Sequence, residues 1–131
     1  MQANWQAFLK KAGKLIQDND VVDFNNSDIN LSGTPLVVAL SGFAMLAVSG
    51  NDRHEFLHGQ FINDLNFIEN NAAQISGWCN SKGQLITNFI IINTGIAYLL
   101  IFKEDLKEFV QKRLLMFVMR SNIFINDISD S

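Results

Sequence analysis

Apolar residues Trp5, Phe8, Leu9, Ala12, Leu15 and Ile16 recur at helical spacing, with Gln6, Lys10, Lys11 and Lys14 on the other side. This predicts an amphipathic helix over 4–17, with Asn4 as its cap. A polar, turn-rich run follows, so residues 1–34 read as a helix and a leader into a sheet. Leu36–Leu40 and Phe43–Val48 are then predicted as two strands of a hairpin, with Ser41-Gly42 as the tight turn. Asp52 with Glu55 three residues later suits a capping box that opens a short helix, and Gly59 ends it.

The downstream pattern is clearer. Ala73–Cys79, Leu85–Ile92 and Ala97–Phe102 are strand-like runs joined by "NSKG" and "NTG", both with turn chemistry, which predicts a meander. In "LITNFIII" both alternating sets are largely apolar, so this strand is expected to be covered on both sides. A second helix opens on Glu104 and Asp105 and is expected to bury Leu106, Phe109, Val110, Leu114 and Phe117, with Lys112 and Arg113 near its end. Asn122–Ile128 alternates as a last strand. Strand, helix, strands, helix, strand is a ferredoxin-like α+β plan with additions, built on an antiparallel or mixed sheet with two to three helices.

Length and composition narrow the choices. With 131 residues the chain reads as one domain over 1–131. Hydrophobic residues make up 48% and charged residues only 18%, so some apolar surface is expected to meet a partner. A net charge of −3 offers no general attraction to phosphate backbones or anionic lipid, and direct nucleic-acid binding is not expected. A single cysteine, Cys79, rules out an internal disulfide and points to a reducing, cytoplasmic compartment. Lys10, Lys11 and Lys14 break up any signal-peptide core, and no apolar run reaches the length of a membrane span.

The stretch "HEFLH" at 54–58 spells a zinc-hydrolase signature, two histidines one helical turn apart around a glutamate. Catalytic zinc needs a third protein ligand and an open position. The chain has only these two histidines, so Glu69, beyond the helix break, would have to serve. Phe56, Leu57 and Phe61 fall on the buried side of the wheel and both histidines on the polar wedge. No metal is expected here.

The same stretch continues as "VSGNDRHEFLHGQFINDL", then "WCNSKGQLITNF", then "RLLMFVMRSNIFINDIS". This succession, over roughly Leu40 to Ile128, resembles the folate-binding YgfZ family, relatives of the glycine-cleavage T-protein, an aminomethyltransferase. The family motifs are V-S-G-x-D, F-L-Q-G-Q-x-T-N-D, C-x-x-K-G-R and M-F-V-L-R-S-K-V. Gly50, Asp52, Phe56, Leu57, Gly59, Gln60, Asn63, Asp64, Cys79, Lys82, Gly83, Met116, Phe117, Val118, Arg120 and Ser121 match in order. His58 stands in place of Gln, Ile62 of Thr, Gln84 of Arg and Asn122 of Lys, so two expected cationic contacts are missing. The family's later K-G-C-x-x-G-Q-E run is absent, which makes this chain look like an N-terminal segment, the N-terminal lobe of a T-protein-like fold.

The resemblance implies tetrahydrofolate as the bound cofactor, iron–sulfur enzymes and tRNA modification as the processes served, and further lobes of the same protein as partners. It implies Gln60, Asn63, Asp64, Lys82, Asn88 and Arg120 as binding positions, with no catalytic residue. T-proteins carry two aspartates after the glycine turn, and aligned on Gly83 these fall at Thr87 and Asn88, which hold no charge. Aminomethyl transfer is the alternative this disfavours, and a ligand-free domain that self-associates through an apolar face is another. Each candidate also has a plain reading. Asn88 is either a buried amide satisfied by backbone or a contact to a pterin edge. Lys82 is a solvated turn lysine or an anion contact, Asn63-Asp64 a cap or a ligand-facing pair, and Cys79 a small buried hydrophobe. Arg120 either meets an acidic partner or pairs with Asp127 and Asp130.

Overall fold

A computed structural model describes residues 4, 7, 8, 11, 14–17, 20–24 and 42–129. Contacts divide the chain into two compact units, one holding 1–42 with 130–131 and one spanning Phe43–Ser129. In the first, residues 4, 7, 8 and 11 are helical. The predicted helix nevertheless does not continue to 17, because Lys14–Gln17 (β1) pairs antiparallel with Asp20–Phe24 (β2). Leu15 and Ile16 suit either a helical stripe or a short strand, and a run this brief does not distinguish the periods. The strand expected at Leu36–Leu40 and its turn at Ser41 lie outside the described residues.

Phe43–Ser129 holds Phe43–Ser49 (β3), Arg53–His58 (α1), a 3₁₀ turn at Leu65–Phe67, Ala72–Cys79 (β4), Leu85–Asn93 (β5) and Ala97–Lys103 (β6). A second 3₁₀ turn, Glu104–Leu106, runs into Lys107–Phe117 (α2), and Phe124–Asp127 (β7) ends the unit. The described residues here form one five-stranded sheet, order β4-β5-β6-β3-β7, with every neighbouring pair antiparallel. β7, β3, β6 and β5 make the ferredoxin-like order, and β4 is an added edge strand entering β5 through the "NSKG" turn.

One face of the sheet carries the core. Ala44, Leu46 and Val48 of β3, Phe89 and Ile91 of β5, and Tyr98, Leu100 and Phe102 of β6 pack with Phe56 and Leu57 of α1, Leu65, and Val110 and Leu114 of α2. The other face is not sealed, contrary to the expectation from β5's apolar alternation. Asn88 and Ile90 are exposed, and across the pairing Ile75 of β4 is 74% exposed. Phe56 and Leu57 of α1 and Val110 and Leu114 of α2 share a single cluster with one set of strand residues, and the alternate set is left outside it.

The helix expectations are also refined. α2 buries Val110 and Leu114, and Leu106 in the 3₁₀ turn before it is half-buried, while Phe109 and Phe117 stay exposed. Lys112 and Arg113 precede its last turn. Among the described residues no helix is long and apolar enough to cross a membrane.

Candidate functional site

Close backbone and side-chain contacts join the β3–α1 turn to the chain entering β7. Gly50 has φ +107, and a Cβ there would overlap the Asn122 carbonyl oxygen. Asp52 makes no side-chain cap for α1, so the expected capping box with Glu55 does not form. Its carboxylate instead accepts the Asn122 N–H at 2.6 Å, and its own N–H reaches the Asn122 carbonyl at 3.3 Å. Arg53 adds a second tie by donating to the carbonyls of Gly50 at 2.9 Å and Gly95 at 2.6 Å. Gly50, Asp52 and the Ser121-Asn122 step of the quoted motifs thus build the fold.

The "HEFLH" histidines are spent on hydrogen bonds. His54 Nδ1 lies 2.6 Å from the Tyr98 hydroxyl and Nε2 lies 3.1 Å from Asn66 Oδ1. Burial pushes the Tyr98 phenol up, against the opposing charge of Arg53, so it stays protonated and donates to Nδ1, leaving the ring proton on Nε2 for Asn66. His58 Nδ1 accepts the Leu65 N–H at 3.3 Å, and the two imidazoles stack with centroids 6.0 Å apart. Among the described residues no three His, Cys, Asp or Glu side chains come together as a metal set. This network escaped the sequence reading because its partners, Asn66 and Tyr98, lie up to 44 residues away.

The predicted binding residues separate into two places. Asn88 projects from β5 onto the open face, opposite Gly77 of β4. Thr87 faces the core, buried, with its hydroxyl donating to the Asn88 carbonyl, so only position 88 of the pair lies on the open face. A Cβ at Gly77 would lie 3.1 Å from Ile62 Cδ1 and 2.9 Å from Leu85 Cδ1, and the Ile62 N–H bonds the Gly77 carbonyl at 3.0 Å. The Gln60–Asp64 segment is therefore carried alongside β4, next to the pair that holds Asn88. Gln60 and Asn63 are half-buried, whereas Asp64 is exposed.

Asp64 caps the following 3₁₀ turn, accepting from the Asn66 N–H at 2.9 Å and its side-chain amide at 2.8 Å. The backbone N–H of Asn66 is the main cause holding its carboxyl below the usual range. Lys82 is exposed in the β4–β5 turn, where the Asn80 side chain accepts its N–H and Gly83 takes φ +77. Cys79 is half-buried beside an irregularity in the β4–β5 register.

Arg120 is not with the others. It is exposed in the link leading to Phe124, which pairs with Ser49 at the sheet end opposite the Lys82 turn. Nor does it pair with Asp127, whose carboxylate takes Lys107 at 3.1 Å and the Ser129 hydroxyl at 2.5 Å. Asp130 lies outside the described residues.

No protein-family model matches the chain. It is 31% identical over 65 residues to the tRNA-modifying protein YgfZ of Colwellia psychrerythraea, covering 50% of this chain and 20% of that protein. To the tRNA-modifying protein YgfZ of Vibrio vulnificus it is 24% identical over 95 residues, 72% of this chain and 29% of the relative. The chain thus spans less than a third of the length of these curated relatives. Its structure superposes on the glycine cleavage system aminomethyltransferase T from Bartonella henselae with a TM-score of 0.64 at 14% identity, over 69% of this chain and 25% of the other. In sequence the chain is similar to part of YgfZ, and in fold it matches part of a T-protein-like aminomethyltransferase.

Proposed function

We propose that this chain is the folate-wall portion of a YgfZ-type protein that binds tetrahydrofolate and assists iron–sulfur and tRNA-modifying enzymes in the cytoplasm. The observation that carries the reading is the exposed Asn88 amide on the open face, with the exposed Ile90 two residues on and Gly77 across the pairing. Such a site suits a flat heterocycle: exposed aliphatic side chains for its face and an amide that donates and accepts at its polar edge. Gln60, Asn63 and Asp64 stand on the neighbouring segment, and Lys82 borders the same sheet end as a mobile cation for an anionic tail. Arg120, at the other end, belongs to a different contact. Folate would bring its reactive one-carbon position; the chain's part is to seat and orient it. Further lobes of the longer relatives would complete the cleft.

An amide at position 88 hydrogen-bonds without carrying the charge that an iminium-like centre or a proton transfer calls for, which favours binding over aminomethyl transfer. Titration of tetrahydrofolate into the protein and its Asn88→Ala variant by calorimetry tests this. Loss of the amide contact is expected to weaken binding about tenfold, the effect of roughly 1.4 kcal/mol. Equal affinities, or no heat from either protein, would overturn the reading.

A second reading is favoured by the extent of the open face. Ile75, Ile90, Phe43 and Phe124 are all exposed large hydrophobics on one sheet. A face of this kind also suits self-association without any ligand. Sedimentation that stays independent of concentration would exclude it.

A further inference from the structure

His58 Nδ1 has two neighbours with opposite requirements. The Leu65 N–H donates to it at 3.3 Å, which needs the nitrogen's lone pair, and the Asp64 carboxylate lies 3.6 Å away, which would welcome a proton. One nitrogen cannot serve both. We propose that His58 is a proton-operated latch on the turn at residues 64–68: unprotonated it holds the Leu65 amide, and protonated it turns to Asp64 and releases that amide.

The surroundings make the exchange consequential. Leu65 is fully buried and opens the 3₁₀ turn, so while the latch is closed its N–H depends on the His58 nitrogen. Asp64 Oδ1 already accepts the backbone and side-chain N–H groups of Asn66, so a third, charged donor pulls on the bonds that shape the turn. The groups that face His58 are known: His54 stacks on it from the preceding turn of α1, Asp64 faces it from the following link, and Tyr98 of β6 and Asn66 reach it through His54. His54 has no comparable choice to make. With Tyr98 and Asn66 as partners it keeps both hydrogen bonds in either charge state, since a phenol oxygen also accepts. The latch therefore resides in His58 alone, and the part set loose carries Phe67, 82% exposed, next to Asn66.

Proton–nitrogen correlation spectra of the full chain, recorded across roughly pH 8 to 5, the interval in which histidine changes charge, test the proposal. The Leu65 amide resonance is expected to move in step with the His58 ring protons. Its exchange protection, corrected for intrinsic rate, is expected to fall about tenfold as the bond is lost. In His58→Gln the side-chain carbonyl accepts the same N–H at every pH, so the Leu65 amide should stay fixed across the interval. A Leu65 amide that is indifferent while His58 titrates, that follows His54 instead, or that moves equally in His58→Gln overturns the proposal. Should the variant not fold, the co-titration within the natural protein decides alone.

Discussion

At the scale of single residues, the positions that looked most like chemistry turn out to differ in kind. Gly50 and Asp52 are fixed by backbone: one has no room for a Cβ and the other grips Asn122. Gly50→Ala is expected to cost about 1–3 kcal/mol or more, from overlap and an unfavourable positive φ. Asp52→Ala should cost about 0.5–1.5 kcal/mol, the net worth of its hydrogen bond to the solvent-accessible Asn122 amide. Denaturant unfolding measures both, and values within error of the unmutated protein would refute the clamp. Asn88, by contrast, is an exposed amide whose loss should leave stability within about 0.5 kcal/mol. None of this could be read locally. Asp52 next to Glu55 has the form of a capping box, and only a partner 70 residues away turns the carboxylate elsewhere.

Among the elements, the meander β4–β5–β6 was legible to within a residue or so at either end, because "NSKG" and "NTG" punctuate runs of β-branched residues. The helices were legible in place but not in burial. Phe109 and Phe117 satisfy a helical period, yet α2 meets the sheet along a narrower stripe through Val110 and Leu114. β1 was lost to the opposite ambiguity, a few apolar residues that fit two periods. β7, a short edge strand, is held by side chains as well as by its ladder. The Ser129 hydroxyl, foremost, and then the Ser129 N–H and Lys107 hold the Asp127 carboxyl below its ordinary value, while burial acts the other way. A lowered carboxyl contributes stability that is present above the ordinary value of about 3.9 and is lost as pH falls through the lower folded value. The stability gap between the natural protein and Asp127→Asn, about 0.5 kcal/mol for a partly exposed pair, should therefore be constant near neutrality and close below about pH 4. A gap that persists in strong acid would show that the charge is not its source.

For the whole Phe43–Ser129 unit, the governing fact is a sheet clothed on one side. The sequence foretold an apolar excess without saying where it would lie, since an alternating strand with apolar residues in both sets is equally consistent with a covered second face. Placing a cation in the open set tests the assignment: Ile90→Lys should unfold at nearly the same denaturant concentration, within about 0.5 kcal/mol, while Ile91→Lys, its fully buried neighbour, should not fold. Circular dichroism of the two proteins is enough, and equal damage from both would mean that the second face is packed after all.

The bond between Asp52 and Asn122 also sets an order of events while the chain is being made. The partners stand 70 residues apart, so at about 5–20 residues per second β3 leaves the ribosome roughly 4–14 seconds before its outer neighbour β7 can reach it. During that interval the middle of the future sheet has a bare edge, open to any passing strand, and a nascent-chain chaperone would find its target there.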